Sequence, residues 1–515
     1  MSQRAQTLSR PFVPALSPEP DFYRWQRALY FRPWFISTSV VELGLTDGLS
    51  LNYASIFATN AIGFDADAQR VQTAQQNFPR ANFACSELTQ VDLTQADVAI
   101  AMDMARFDDP MVALTMLAKC PGKLIIGIPD AGHEDEWIDG IQQAFEHRGV
   151  KFLHQEEAWP GRIKEGLRAD AHLTLAIIGA DALPVWPRIG LSMPTHKQSE
   201  RACEAIVSLI NFYPGELQVA VVANGTPSEG LARLRGLQSE IPGHMILIEE
   251  SKNLGYGLGS NRGLDALWQD SWFDFFGVVN DDVMATFDCV SQLVAAMQEL
   301  EAAGQKPGII GPMSNEVNGP QRIDLGTYTN PSELMLLAEI HLRQNHSTAT
   351  QNMQVRGLFI LIHPDCLNDI GGFDPAYGLG NFEDDDMNLR ARLAGYSLWV
   401  ADGAFLHHAG SCTFRDLEID YNGNIIRNLA VFLEKWGLES FEESFALEAS
   451  PINPGLFVAL TAQMRHSSHQ ITINGEPVDL VYQASEFDLA AWIVTILRDK
   501  PRESRAAVLD ALMAA

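Results

Sequence analysis

Four consecutive carboxylates, Glu383-Asp384-Asp385-Asp386, stand ahead of the helical pattern Met387-Asn388-Leu389-Arg390 and shortly after Gly371-Gly372-Phe373-Asp374. Like charges packed this closely raise one another's pKa values, which can leave one carboxyl able to take a proton near neutrality. Two other stretches carry matching chemistry: Asn280-Asp281-Asp282 after one apolar strand pattern, and His407-His408 after another. Carboxylate, carboxylate and imidazole at the ends of separate elements suit a divalent cation beside a general base. Taken alone, the acidic run also fits a helix N-terminus favoured by the macrodipole. That explains Asp385 and Asp386 well and Asp384 poorly.

The elements that must position these groups belong to more than one domain, because 515 residues exceed a single core. An apolar content of 46% with interleaved strand and helix patterns predicts a globular α/β protein. A net charge of −29 without a basic stripe argues against nucleic acid as a partner. An anionic ligand would then need a metal ion, a glycine-rich backbone or a helix N-terminus. The six cysteines show no C-x-x-C spacing, which favours reduced, buried thiols. With neither a secretory leader nor a run of about 20 apolar residues, the expected location is cytoplasmic. Peripheral attachment at the inner membrane face is left open.

Residues 1–20, with Pro11, Pro14, Pro18 and Pro20, read as a loose arm. Residues 21–181 alternate strand and helix: Val40–Gly44, a helix from Leu49, Ala61–Phe64 closed by Asp65, Asp97–Met102, Lys123–Ile128, a helix near Glu134–His147, then Lys151–His154 and His172–Ile178. This order predicts a doubly wound sheet with ligands beyond the carboxyl ends of its first strands. Glu42, Gly44, Gly48 and Asp65 resemble the nucleotide-binding motif of class I S-adenosylmethionine-dependent methyltransferases. The resemblance implies glycines that admit the cofactor's close approach and an acidic residue on its ribose. Leu45-Thr46-Asp47 departs from the family's denser glycine pattern.

A second alternation spans residues 185–440. Ile189–Met193 runs into Pro194-Thr195; Leu217–Val222 into Ala223-Asn224-Gly225-Thr226; and Met245–Ile248 into the loop from Asn253 to Gly263, which holds Gly255 and Asn261. Phe275–Val279 then ends at Asn280-Asp281-Asp282, and Val355-Arg356-Gly357 precedes another apolar strand. These motifs, with Gly-Gly-Phe-Asp, Glu-Asp-x-Asp-Met-x-x-Arg and the histidine pair, follow the order seen in family 2 glycosyltransferases. The chain resembles that inverting, nucleotide-diphosphate-sugar-dependent group over about half its length, which implies a GT-A fold. Ala223 departs from the family, where an aspartate at this strand end contacts the base.

The resemblance implies Asp384 as catalytic base and Glu383 as the group orienting the acceptor, with Asp386 supporting the helix start. It places Pro194, Thr195, Asn224, Asn253, Gly255, Asn261, Asn280, Asp281 and Gly357 around the nucleotide sugar. Asp282 and His407 are the expected ligands of Mn²⁺ or Mg²⁺, with His408 the alternative, since neighbours on a strand face opposite ways. Asn315–Thr350, with little periodicity, is expected to include a mobile loop over the site, and residues 441–515 read as an α+β extension with a hairpin about Asn474-Gly475 and two amphipathic helices.

The expected activity is inverting transfer of a sugar to a hydroxyl of a carbohydrate, lipid-linked glycan or glycoprotein acceptor. Two rivals are carried: a methyltransferase acting on a glycan with the second domain binding sugar, and a non-catalytic scaffold in glycan assembly. Oligomerisation is left open.

Overall fold

The computed structural model describes residues 20–104, 107, 110–128, 134–156, 162–168, 171–269, 273–346, 348–410, 421–447, 471–473 and 476–478. Most of the N-terminal arm, Cys412 and both predicted C-terminal helices lie outside these residues. The chain divides into two compact units, one formed mainly by residues 15–186 and the other mainly by residues 187–515. Among the described residues no helix is long and apolar enough to cross a membrane.

The first unit is built on an eight-stranded sheet ordered β3-β2-β1-β4-β5-β8-β6-β7. Its strands are β1 (Ser39–Leu43), β2 (Asn60–Asp65), β3 (Asn82–Cys85), β4 (Val98–Ala101), β5 (Lys123–Ile128), β6 (Val150–Glu156), β7 (Ile163–Glu165) and β8 (Ala171–Ile178). β3 through β5 run parallel, and β8 inserts antiparallel between β5 and β6. Continuous apolar runs such as Leu-Ile-Ile in β5 are what a sheet covered on both faces requires. Edge strand β3 carries no such run and is half exposed, which is why its pattern is silent in the sequence.

The second unit has a nine-stranded mixed sheet ordered β11-β10-β9-β12-β16-β14-β17-β13, with β15 paired to β17. Its strands are β9 (Ile189–Thr195), β10 (Leu217–Asn224), β11 (Met245–Glu250), β12 (Phe275–Val279), β13 (Val283–Ala285), β14 (Pro307–Ser314), β15 (Ala349–Asn352), β16 (Phe359–Ile362) and β17 (Ser397–His408). The parallel half, β11-β10-β9-β12, delivers Thr195, Asn224 and the turn after Val279 to one carboxyl edge. The Tyr256–Trp268 helix lies close against this half, since a Cβ on Gly263 would sit 2.1 Å from Ser192 Oγ.

Asn315–Thr350 contains the expected loop, at residues 315–330, but is not loop throughout. Much of it is a helix, Pro331–Asn345, begun by Asn330, whose side chain accepts from Glu333 N. Its charged and apolar residues do not segregate into a clear stripe, so periodicity misses it, whereas Asn-Pro followed by Ser and Glu is a start signal. The predicted hairpin is present as β18 (Ile471–Ile473) antiparallel to β19 (Glu476–Val478).

Candidate active site

A cavity of about 780 Å³ opens at the carboxyl edge of the second sheet, a size suited to a small-molecule ligand. Pro194, Thr195, Asn224, Asn253, Gly255, Asn280, Asp281, Asp282, Gly357, Glu383, Asp384 and His408 all line it. Asn261 and His407 do not.

The histidine pair is decided by register. β13 pairs antiparallel with β17 so that Val283 faces His408 and Met284 faces His407. Ala409 N donates to Asp282 O at 2.9 Å, which brings the neighbouring His408 to Asp282. Its Nε2 lies 3.1 Å from Asp282 Oδ1. His407 points to the opposite side, where Nδ1 is 2.8 Å from the Tyr328 hydroxyl among Met284, Leu334 and Phe405. The expectation that His407 faces the site is therefore corrected: strand alternation puts only one of the two on the cavity side, and it is His408. Burial, more than the charge on His408, pushes His407 down to about 4.

The donor set at Asp282 and His408 suits a cation. His408 Nδ1 lies 2.6 Å from Glu316 O, a contact it can make only as a donor. A neutral ring then turns the Nε2 lone pair toward the Asp282 carboxylate, and two acceptors at 3.1 Å need a proton or a metal between them. Burial works against charge on His408, yet Asp282 outweighs it and holds the imidazole above its ordinary range. Asp282 is correspondingly low: burial opposes ionisation, while His408 and then Arg201 favour it. Burial and the Asp282 charge push the adjacent Asp281 up to about 7.

The acidic run separates into four environments at the start of the Glu383–Leu393 helix. Asp386 faces inward, bonded by Arg390 Nε at 2.9 Å and Lys435 Nζ at 2.6 Å. Asp385 pairs with Arg356 Nη1 at 2.8 Å. Asp384 Oδ2 accepts from Gly357 N at 3.1 Å and Oδ1 from Asp385 N at 2.9 Å, with Arg356 Nη1 3.9 Å away. Glu383 is buried with Oε2 lacking a partner among the described residues. Burial, then the Asp384 charge, lifts its carboxyl well above the ordinary range.

Several expected donor-side residues hold the loops. Asn224 Nδ2 donates to Asn253 Oδ1 and Gly255 O, and its Oδ1 accepts from Leu254 N. Gly255 has φ +83°, and a Cβ there would lie 2.1 Å from Gly378 O. Asn261 is a correction: fully buried, it exchanges two 2.8 Å hydrogen bonds with the backbone of Phe373, the phenylalanine of Gly-Gly-Phe-Asp.

The sequence reading passed over His196, Arg322, Arg356, Tyr256 and Phe382, all of which line the cavity. Arg356 and Tyr256 stood inside quoted motifs. Tyr256 donates to Gly357 O at 2.5 Å, holding the same residue whose N–H donates to Asp384.

In the first unit, Glu42, next to last in β1, and Asp65, last in β2, are fully buried. Glu42 Oε2 accepts from Leu51 N, while Oε1 has no partner among the described residues; burial, then Asp47, pushes this carboxyl up to about 8. Asp65 Oδ1 accepts from Asp67 N and Arg70 Nε, and Oδ2 is likewise without a partner among the described residues. Gly44, at φ +68°, makes the turn after β1. Gly48 makes room for Phe83, since its Cβ would sit 2.8 Å from that ring.

Residues 191–359 match the family model described as Glycosyl transferase family 2. The chain is 25% identical over 219 residues to the N-acetylglucosaminyl-diphospho-decaprenol L-rhamnosyltransferase of Mycobacterium tuberculosis, covering 38% of this chain and 66% of that protein. Similar solved structures include the mannosyltransferase PcManGT from Pyrobaculum calidifontis in complex with GDP-Man and Mn²⁺. It is 15% identical with a TM-score of 0.35, covering 64% of this chain and 86% of that one. They also include a TehB-like S-adenosylmethionine-dependent methyltransferase from Corynebacterium glutamicum, 17% identical with a TM-score of 0.24, covering 30% and 85%. The family match thus falls mainly within the second unit, whose mixed sheet carries the cavity, while the first unit is a separate α/β sheet.

Proposed function

We propose that the second unit transfers a sugar, with inversion, from a nucleotide diphosphate to a hydroxyl of a glycan acceptor. The acceptor class spans carbohydrate, lipid-linked glycan and glycoprotein. One observation carries this reading: Asp282 with His408, and Asp384 with Glu383, face one cavity from different elements. The named activity of the mycobacterial relative supports glycosyl transfer.

Thr195, Asn224, Asn253, Asn280 and Asp281 form the donor side. Asp282 and His408 would hold Mn²⁺ or Mg²⁺ through oxygen and imidazole. When bound, the cation would offset negative charge growing on the departing diphosphate. Inversion requires an acceptor hydroxyl on the face opposite the leaving group, with a base in reach. Asp384 is that base: two backbone N–H groups and nearby Arg356 hold its carboxylate at the cavity wall. Glu383, whose carboxyl burial holds well above the ordinary range, orients the acceptor by hydrogen bonding.

Asp384→Asn keeps the shape and removes the base. Turnover should fall by about 10²–10⁴-fold, with nucleotide affinity by calorimetry unchanged; near-normal turnover refutes the assignment.

A second reading concerns the first unit. The open oxygens of Asp65 and Glu42 fit hydroxyl and amino donors, so Asp65 would hold the ribose of S-adenosylmethionine, which supplies a methyl group when bound. Calorimetric titration with S-adenosylmethionine tests this, and absence of heat at millimolar ligand rejects it.

A further inference from the structure

Between Gly378 and Phe382 the backbone is left-handed at four of five positions: Gly378 (φ 60°), Gly380 (128°), Asn381 (76°) and Phe382 (71°). Glycine and asparagine tolerate such values, but for phenylalanine they are strained. Phe382 is the last residue before Glu383 and Asp384, and its side chain supplies no cap to the helix that follows. Something outside the turn must hold it.

The Tyr421–Trp436 helix does so. It lies beyond the segment matched by the family model, and its Asn428 is fully buried. Asn428 Nδ2 reaches three carbonyls of the turn: Tyr377 O at 2.8 Å, Gly380 O at 2.7 Å and Asn381 O at 3.0 Å. Its Oδ1 has no partner among the described residues, so these carbonyls alone set the amide's orientation. One turn earlier, Asn424 Nδ2 donates to Gly380 O at 2.8 Å. The Phe382 ring is held by Phe432 and Phe441, with centroids 5.9 and 5.6 Å away.

We propose that Asn428 is a positioning residue for the transfer reaction, holding the 378–382 turn in its left-handed form so that Asp384 stays on Gly357 N at the cavity wall. This rests on the reading of Asp384 as the base. Without the latch the turn relaxes toward negative φ, and the first turn of the Glu383–Leu393 helix shifts with it. Misplacement on the order of 1 Å costs about 10²-fold in rate.

The test compares full-length Asn428→Ala, Asn428→Ala with Asn381→Gly, and Asp384→Asn. Turnover is read as release of nucleoside diphosphate from whichever nucleotide sugar the unaltered protein accepts, with UDP and GDP affinity measured by calorimetry in Mn²⁺. Hydrogen–deuterium exchange is followed over residues 377–390. Asn428→Ala should lose about 10–100-fold in kcat, keep its nucleotide Kd within about twofold, and exchange faster at 377–385 but not at 189–195. Glycine at position 381 reaches left-handed backbone without strain, so the double variant should regain much of the rate. Unchanged exchange at 377–385, unchanged kcat, or equal loss of nucleotide affinity overturns the proposal. Failure of the base assignment looks different: Asp384→Asn would then turn over normally while Asn428→Ala remained slow.

Discussion

Lys435 is a buried charge outside the cavity. Its Nζ lies 2.6 Å from Asp374 Oδ2 and 2.6 Å from Asp386 Oδ1, with all three side chains at most 1% exposed. It thereby ties the Gly-Gly-Phe-Asp turn to the helix that carries Asp384. Lys435→Met keeps the stem and removes the cation. Removing one partner from a buried ion pair costs about 3–5 kcal/mol; the lower end applies because Asp386 keeps Arg390 Nε at 2.9 Å and Trp436 Nε1 at 3.0 Å. At about 2–4 °C per kcal/mol, Tm at pH 7 should fall by roughly 6–12 °C.

The pH dependence carries a sign. Burial alone would raise the Asp386 pKa, but Lys435 and then Arg390 hold it below the ordinary carboxylate range. A depressed folded-state pKa contributes stability that is present above the unfolded value, about 3.9, and lost as pH falls through the folded value. The deficit of Lys435→Met should therefore be largest near neutrality and shrink below about pH 4. Calorimetric melts from about pH 3 to pH 8 check both points. A variant melting within about 2 °C of the unaltered protein at pH 7, or a deficit that widens in acid, refutes the reasoning.

Further expectations concern the cavity. His408→Ala should weaken the Mn²⁺ response of turnover by about tenfold or more, whereas His407→Ala should leave it intact and destabilise the fold by about 1 kcal/mol through the lost Tyr328 bond; equal metal responses would reverse the correction. Gly255→Ala should destabilise the second unit by about 2–4 kcal/mol, read from urea unfolding, because φ +83° and Gly378 O leave no room for Cβ.

Much of this architecture was legible before any coordinates. Alternating apolar runs and helical patterns placed most strands of both sheets, because buried parallel strands need unbroken β-branched and aliphatic residues. Four of the strands that stayed hidden, such as Asn82–Cys85, have only three or four residues, too few to leave a pattern; the fifth, Pro307–Ser314, is buried between β16 and β17 but its run is interrupted by two prolines and two glycines. Asn261 misled for a related reason. Asn-x-Gly reads the same whether its amide faces a ligand or, as here, clamps the Phe373 backbone.

The sequence by itself determined the chemical inventory: which carboxylates and imidazoles exist, on which elements, and that several stand at strand ends where ligands bind. Tertiary structure alone decided which histidine turns to Asp282, which acid of the run is neutralised by Lys435 and Arg390, and which is left on the cavity wall. Alternation along a strand has a period of two wherever the strand lies, but its phase relative to the cavity comes from pairing with β13. Likewise, the four acids are alike as residues and differ only in what the fold brings against them, and Lys435, which lies about 50 residues further along the chain, is part of that.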